Sequence, residues 1–202
     1  MPASTAYDLT VVPRIAVELP VVLPAPDGFD PLRSDTWPVI TGRLEYVQGR
    51  LLYMPPCGDD QQQTVADMVG ELIAWRRSHQ QFVVGTNEAG VMLGGDIRAA
   101  DGAVWRRDAL EPNSGGFPRV PPVLAAEVAG RDDTLELLRE KARWYLGHGV
   151  TVVWILIPAA RSVLVITSAG EIEVGGGRIP AHASLPGLEP SLDELFRQVS
   201  GG

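Results

Sequence analysis

In the second half of the chain, two continuous apolar runs flank a segment whose apolar residues have helical spacing, and this order predicts a βαβ unit. Residues 123–129, VLAAEVA, form one almost wholly apolar run, and residues 151–157, TVVWILI, form another. Such runs are typical of strands that are covered on both faces of a sheet. Between them, residues 132–147 have helical periodicity, with Asp132 or Asp133 as the expected N-cap. We therefore predict two nearby strands in one sheet, with a helix on one face.

The preceding part of the chain predicts a hairpin, a long helix and several short strands. Residues 44–54, LEYVQGRLLYM, contain two β-rich runs around Gln48-Gly49, where glycine permits a positive φ. Apolar residues then recur at helical spacing from Asp59 to about Arg77. Short β-rich runs and a loop rich in Pro, Asn, Ser and Gly follow, at residues 82–86, 90–93, 103–105 and 108–122.

The two ends of the chain differ from this alternating middle. Residues 1–33 are rich in proline and valine without helical periodicity, which predicts an extended arm with one or two edge strands. The C-terminal part predicts a peripheral hairpin and a short helix capped by Ser191, at residues 163–167, 171–174 and 191–199. We therefore expect a mixed α/β fold, with an arm over residues 1–33 and one domain over residues 34–202.

Composition narrows the classes of function. The 202 residues are 45% hydrophobic and 21% charged, which suits one globular domain. The net charge of −8 excludes a broadly basic surface for binding nucleic acid, but it does not exclude a local basic groove. One cysteine and three dispersed histidines favour a metal site of carboxylates and carbonyls, hence magnesium, manganese or calcium rather than zinc. The chain lacks a convincing signal peptide or membrane-spanning stretch, so we expect a cytoplasmic protein without membrane contact.

Four charged residues stand in settings that suggest chemistry. Glu127 lies within the apolar run VLAAEVA, where an unpaired carboxylate is costly; the alternative is a strand-end or structural ion-pair role. Asp101 precedes a short β-rich run, although Asp-Gly is also a common turn. Glu45 begins the predicted hairpin, where an exposed edge charge is the alternative. Lys141 points from the apolar helix face, unless its stem only covers the apolar neighbours Leu137, Leu138, Trp144 and Tyr145.

Taken together, these residues suggest one kind of chemistry. Two carboxylates at adjacent strand ends can hold a divalent cation, which polarises a phosphoryl group and lowers the pKa of bound water. A nearby lysine can accept a proton or stabilise charge at the attacked phosphate. No histidine or cysteine is needed for phosphodiester cleavage of this kind.

The chain resembles the Uma-two (Uma2) family of restriction-endonuclease-like proteins, a bacterial branch of the PD-(D/E)XK nuclease superfamily. The resemblance runs over residues 44–196, and its most specific part is the strand glutamate, the helix Lys-x-x-x-Tyr and the Trp-Ile pair from Glu127 to Ile155. The matching segments are LEYVQGRLLYMPP, RAADGAVW, PPVLAAEVAGRDDTLELLREKARWYLGHGVTVVWIL and LPGLEPSLDELF.

The resemblance implies a restriction-endonuclease-like fold and roles for the same four residues. Asp101 stands at the aspartate of the "PD" motif, with Ala100 in place of the proline, and Glu127 stands at the second acidic position. In the superfamily the lysine usually lies two residues after the second acidic position, where this chain has Ala129. In this branch the lysine lies on the following helix instead, and Lys141 stands at that position. Glu45 matches the family's glutamate that precedes the hairpin glycine, and the resemblance implies that this glutamate contributes to metal binding.

We therefore expect an endonuclease that uses magnesium or manganese, with Asp101, Glu127, Lys141 and Glu45 as the catalytic set and Asp101 and Glu127 as metal ligands. The expected partner is nucleic acid, DNA in the first instance, and a homodimer would suit cleavage of two strands. Five arginines near the acids could line a phosphate-binding rim, namely Arg98, Arg106, Arg107, Arg119 and Arg131. The alternative is a degenerate nuclease fold that only binds nucleic acid or protein.

Overall fold

The computed structural model describes residues 19–112, 116–131 and 133–199. Within these ranges, nine strands form one sheet that three helices accompany. The strands are β1 (Val21–Leu23), β2 (Arg43–Val47), β3 (Arg50–Met54), β4 (Phe82–Leu93), β5 (Asp96–Arg106), β6 (Leu124–Val128), β7 (Val152–Ile157), β8 (Ser162–Thr167) and β9 (Gly170–Val174). The helices are α1 (Asp59–Arg76), α2 (Leu135–Gly147) and α3 (Leu192–Leu195). No helix in the described ranges is long and apolar enough to cross a membrane.

The sheet is mixed and it branches at β5. The strand order is β1-β3-β2-β5-β6-β7-β8-β9, and β4 pairs with β5 beside this path. Strands β6 and β7 are parallel and are joined by α2, while the other pairs are antiparallel. Gln48 and Gly49 both have positive φ, 50° and 78°, at the tight turn between β2 and β3. The twist of such a turn matches that of a two-stranded hairpin.

The two faces of the sheet carry separate cores. Alternate residues of β6 face opposite sides, because side chains alternate along a strand. Ala126 packs in the cluster that contains Met68 and Leu72 of α1, whereas Ala125 packs in the cluster that contains Tyr145 of α2. We call these the α1 face and the α2 face of the sheet.

Most of the elements predicted from hydrophobic periodicity are present. The hairpin, the first long helix, the βαβ unit and the peripheral hairpin are confirmed within one or two residues at most ends. Helix α2 is shorter than expected, since it begins at Leu135 and its N-cap is Thr134, whose side chain accepts from the Leu137 N–H. Asp132 lies outside the described residues, and the Asp133 carboxylate instead accepts from the Gly130 N–H at 2.8 Å.

Other predicted elements were wrong in extent. The two runs 82–86 and 90–93 belong to one strand, β4, with a register shift between Thr86 and Ala89. Strand β5 begins at Asp96, so Asp101 and Gly102 lie inside a strand and not at a turn. The final helix ends at Leu195 rather than near residue 199.

The predicted arm lies partly outside the described residues, which begin at residue 19. In its described part, β1 (Val21–Leu23) pairs antiparallel with β3 at the edge of the sheet, as expected for an edge strand. The division into an arm over residues 1–33 and a domain over residues 34–202 stays a prediction.

Candidate active site

A gap opens along one edge of β5, and the four predicted residues surround it. Strand β4 pairs along the other edge of β5 from Asp96 to Arg106. On the gap side, the described pairings are with β2 at Ile97 and with β6 at residues 102–104. Because β2 and β6 separate here, residues 98–101 of β5 have no strand beside them on that edge in the described part of the chain. We call this place the strand fork.

Side chains replace the missing strand hydrogen bonds at the strand fork. The Ala99 N–H donates to Oε1 of Glu45 at 3.1 Å, and Nζ of Lys141 donates to the Ala99 carbonyl at 2.8 Å. The Val128 N–H, at the end of β6, donates to Oδ2 of Asp101 at 2.8 Å. Buried backbone groups need such partners. The separation of the strands thus brings Glu45, Asp101 and Lys141 to one place.

Lys141 is held at the centre of the strand fork. Its ammonium lies 2.7 Å from Oε1 of Glu45 and 3.1 Å from Oε1 of Glu127, and its side chain is 11% exposed. Burial lowers the pKa of Lys141, but the carboxylates of Glu127 and Glu45 raise it more, so the net pKa lies above its usual value. The ammonium of Lys141 thus meets two carboxylates and a carbonyl inside the strand fork and does not extend into solvent.

Glu127 projects from β6 toward α2 and is enclosed. Tyr145 of α2 donates its hydroxyl to Oε1 of Glu127 at 2.9 Å, and Lys141 contacts the same carboxylate. Burial raises the pKa of Glu127 to about 8, with further contributions from Asp101 and Glu45, while Lys141 opposes the shift. Burial also raises the pKa of Tyr145 well above its usual value, so this hydroxyl stays a donor.

Asp101 lies on β5 next to Glu127. Gly102 pairs with Ala126, so continuing this antiparallel register by one residue sets Asp101 opposite Glu127, with both side chains on the same face. Burial raises the pKa of Asp101, although the Val128 N–H and the nearby Lys141 and Arg43 charges oppose this. The two carboxylates that were 26 positions apart in sequence are therefore neighbours across two strands.

Two arginines approach the carboxylates from β2 and β5. Nη1 of Arg98 lies 3.4 Å from Oε2 of Glu45, and its guanidinium stacks over the Trp144 ring at 5.1 Å from the centroid. Nη1 of Arg43 lies 3.5 Å from Oδ1 of Asp101. Glu45 is thus held by a lysine, an arginine and a backbone N–H, which makes it a residue that positions Lys141.

The strand fork opens into a cleft of about 730 Å³. All four predicted residues line this cleft, together with Gln61 and Asp133, while Leu135, Leu137 and a proline-containing segment form apolar parts of its wall. The volume lies in the range of small-molecule sites. Of the five arginines expected at a rim, Arg98 and Arg131 line the cleft.

The rim prediction was wrong for the other three arginines. Arg106 and Arg107 stand at the far end of β5, where they bond Asp108 and the Gln80 carbonyl. Arg119 lies beside a separate, smaller pocket with Met92 and Phe117. The strand β5 is longer than its sequence pattern indicated, and this length separates residues that are close in number.

The donor set suits a divalent cation in type and charge. Among the described residues, no three Asp, Glu, His or Cys side chains stand together as a metal-holding group. Mg²⁺, however, is commonly held by one or two carboxylates and completed by water and phosphate oxygens. Burial raises the pKa of Glu127, and a divalent cation beside Asp101 would oppose that shift by favouring the carboxylate. Asp101 and Glu127 are the residues that would hold it.

Sequence reasoning missed several residues of the site. Arg43 lies two positions before Glu45 on β2, so the period of a strand could have placed both on one face. Gln61, by contrast, is expected to face inward because it lies one helical turn before Val65, and it donates from α1 to the Val128 carbonyl at 2.9 Å. Glu88 contacts Arg43 at 3.3 Å, but nothing in the sequence pattern marked it.

The mixed α/β fold is shared with a solved structure. A crystal structure described as "a putative nuclease belonging to DUF820" from Anabaena variabilis ATCC 29413 matches with a TM-score of 0.71 at 15% identity. The match covers 81% of this chain and 95% of that one, and it shows the likeness of the fold. No curated protein matches the chain.

The chain also matches the Uma2 family, described as "Putative restriction endonuclease", over residues 37–195. The protein belongs to the Uma2 family. The expected restriction-endonuclease-like α/β fold is confirmed.

Proposed function

We propose that this Uma2 protein is a divalent-metal-dependent endonuclease that hydrolyses phosphodiester bonds at the strand fork. The observation that carries the proposal is the enclosed Lys141 ammonium, 3.1 Å from Glu127 and anchored by Glu45 and the Ala99 carbonyl. Asp101 stands opposite Glu127 across the two strands. A buried cation beside two facing carboxylates matches the needs of phosphate chemistry.

Each residue has a role that follows from its contacts. Asp101 and Glu127 would hold magnesium or manganese, and the bound ion would polarise the phosphoryl group and lower the pKa of attacking water. Lys141 stays protonated, because nearby carboxylates raise its pKa, and it stabilises negative charge at the attacked phosphate rather than accepting a proton. Glu45 fixes the position of Lys141, and Tyr145 fixes that of Glu127.

DNA is the substrate that we propose. The cationic groups of the site are few, and the net charge of −8 disfavours tight binding to any duplex through the backbone alone. Affinity would then rest on contacts at the cleft. A homodimer, which would bring two sites to two strands, and a cytoplasmic location belong to the same proposal; sedimentation of the purified chain with and without DNA tests the dimer.

A second candidate function is binding without cleavage. It is favoured by the cations that already occupy the carboxylates, since Lys141 lies between Glu45 and Glu127 and Arg43 lies against Asp101. A protein of this kind would bind nucleic acid or protein in the cleft and would gain no stability from magnesium. Metal-dependent stabilisation therefore separates the two candidates.

The test compares wild type with Asp101→Asn and a control, Asp108→Asn. Asp108 follows the far end of β5 and forms an exposed ion pair with Arg106. Plasmid and single-stranded DNA are incubated with Mg²⁺, Mn²⁺ or EDTA. We expect metal-dependent cleavage by wild type and Asp108→Asn, and a loss of about 100-fold or more in Asp101→Asn.

Thermal unfolding of the same proteins gives an independent readout. Mn²⁺ should raise the Tm of wild type and Asp108→Asn but not that of Asp101→Asn. DNA binding by a wild type that neither cleaves nor responds to Mn²⁺ would favour the second candidate function.

A further inference from the structure

A bulge in β4 aims an acidic side chain at the strand fork. Thr86 pairs with Gly102 and Ala89 pairs with Ala100, so Asn87 and Glu88 both stand opposite Asp101. Asn87 and Glu88 have φ of 57° and 58°, which is unusual for two successive non-glycine residues. Bulges of this kind redirect side chains next to functional sites.

The redirected Glu88 meets Arg43 of β2. Oε1 and Oε2 of Glu88 lie 3.3 and 3.4 Å from Nη1 of Arg43, and the same Nη1 lies 3.5 Å from Asp101. These contacts are long for charge-assisted hydrogen bonds, which usually measure 2.7–2.9 Å. The Arg43 guanidinium is therefore held in place between two acids without being tightly bound by either.

The Arg43 guanidinium also has donors to spare. Its Nε is buried and has no hydrogen-bond partner among the described residues, and its Nη2 contacts only the weak acceptor Sδ of Met54 at 4.0 Å. Arg43 lines the cleft. Because Nε is shielded from the cleft, a phosphate would meet the two Nη atoms, which can bind paired oxygens through two parallel hydrogen bonds.

We propose that Arg43 is a substrate-binding residue that takes the phosphate oxygens of a nucleic-acid backbone beside Asp101, and that Glu88 is its counter-ion in the free protein. This inference rests on the proposed function, since it names the contact by which that substrate enters the site. Neither of the other two cleft arginines fits as well. Arg98 shares the unpartnered, buried Nε, but its Nη1 contacts Glu45 and its guanidinium stacks on Trp144, while Arg131 is an exposed residue of the turn before α2.

The test measures the affinity of a fluorescein-labelled single-stranded oligodeoxynucleotide by anisotropy, in Ca²⁺ buffer, over a series of salt concentrations. Wild type is compared with Arg43→Gln and with Arg143→Gln. Arg143 is a matched control because it pairs with Glu136 at 2.8 Å on the exposed side of α2. A double variant, Arg43→Gln with Glu88→Gln, removes both members of the ion pair in case the single variant does not fold.

We expect Arg43→Gln and the double variant to lose about tenfold or more in affinity, because a charge-assisted hydrogen bond is lost. The slope of log K against log salt should also fall by about 0.7, which is the value of one lost phosphate contact on single-stranded DNA. A merely structural role of Arg43 would not change this slope. Arg143→Gln should match wild type in both quantities.

The outcomes separate the two proposals. Equal slope and affinity in wild type and the folded Arg43 variants would overturn the role of Arg43, even if wild type cleaves DNA. A reduced slope in a protein that binds but never cleaves would support the role of Arg43 and contradict the proposed nuclease. A wild type that does not bind the oligodeoxynucleotide would overturn the role of Arg43, and cleavage of plasmid DNA would then decide the proposed nuclease.

Discussion

The two faces of the sheet differ in what they bury, although neighbouring residues of the same strand build them. Ala126 of β6 faces α1 and packs among Met68 and Leu72, both fully buried. Glu127, the next residue, faces α2 and is equally enclosed, but it meets Lys141 and Tyr145. One face is an ordinary apolar core, and the other contains a connected set of charged and polar groups.

This difference supports the proposal that the α2 face carries the function. Well-packed apolar residues in place of a buried ion pair are often neutral or stabilising by roughly 1–4 kcal/mol. The polar set on the α2 face is therefore poor at stabilising the fold, whereas the α1 face does this efficiently. Substitutions on the two faces should consequently affect different properties of the protein.

The largest expected effect comes from removing the shared cation on the α2 face. Lys141→Met leaves Glu45 and Glu127 buried without their common partner, which should reduce the free energy of unfolding by about 3–5 kcal/mol and abolish metal-dependent cleavage. Urea denaturation measures the first quantity. Adding Glu127→Gln to Lys141→Met should restore part of the stability but none of the cleavage. Unchanged stability in Lys141→Met would mean that its ammonium reaches solvent.

A cavity on the α1 face should give the opposite pattern. Leu72 is fully buried between α1 and the sheet, so Leu72→Ala should reduce the free energy of unfolding by about 2–5 kcal/mol. The cleavage rate per folded molecule should match wild type, because Leu72 is not among the residues that line the cleft. Denaturant unfolding and a cleavage assay at low temperature measure the two effects. A large loss of activity in the folded variant would break the distinction between the faces.

A smaller effect is the pH dependence that Glu127 gives to the α2 face. The pKa of Glu127 is raised by burial from 4.5 to about 8 in the folded protein. Between these values the unfolded chain binds fewer protons than the folded one, so the free energy of unfolding should fall as pH rises. The stabilising contribution is fully present below about pH 4.5 and is lost by about pH 8.

The comparison that isolates this effect is wild type against Glu127→Gln in urea denaturation at a series of pH values. The free energy of unfolding of wild type, relative to that of Glu127→Gln, should fall as pH rises. Leu72→Ala should show the same pH profile as wild type, displaced downward. A difference between wild type and Glu127→Gln that does not vary with pH would contradict the burial of an ionisable carboxyl at this position.

Local patterns predicted most of the fold because they report on burial directly. The continuous apolar runs of β6 and β7 reflect strands that are covered on both faces. The helical spacing of apolar residues in α1 reflects a helix that is buried on one face. The tight turn at Gln48 and Gly49 likewise depends on local backbone preference. Lys141 could be placed on the inward face of α2 by spacing alone.

The rest of the site depends on contacts that no local pattern contains. Asp101 suggested a turn because it precedes glycine, yet pairing with β4 and β6 extends β5 through both residues. Glu88 reaches Arg43 because β4 has a bulge, and its position depends on the register between two strands. The gap between β2 and β6 is a tertiary feature, so the local sequence around Asp101 does not indicate it.

The most direct test of the central claim is cleavage of DNA by Glu127→Gln at neutral pH, with its Tm measured in the same buffer. Glutamine keeps the shape of Glu127 and an oxygen that accepts from Tyr145, and burial, which raises the pKa of Glu127, already opposes the charge that this change removes. The account predicts an unchanged Tm within a few degrees and a fall in Mg²⁺- or Mn²⁺-dependent cleavage of about 100-fold or more. Cleavage equal to that of wild type in a folded Glu127→Gln protein would contradict a catalytic site at the strand fork.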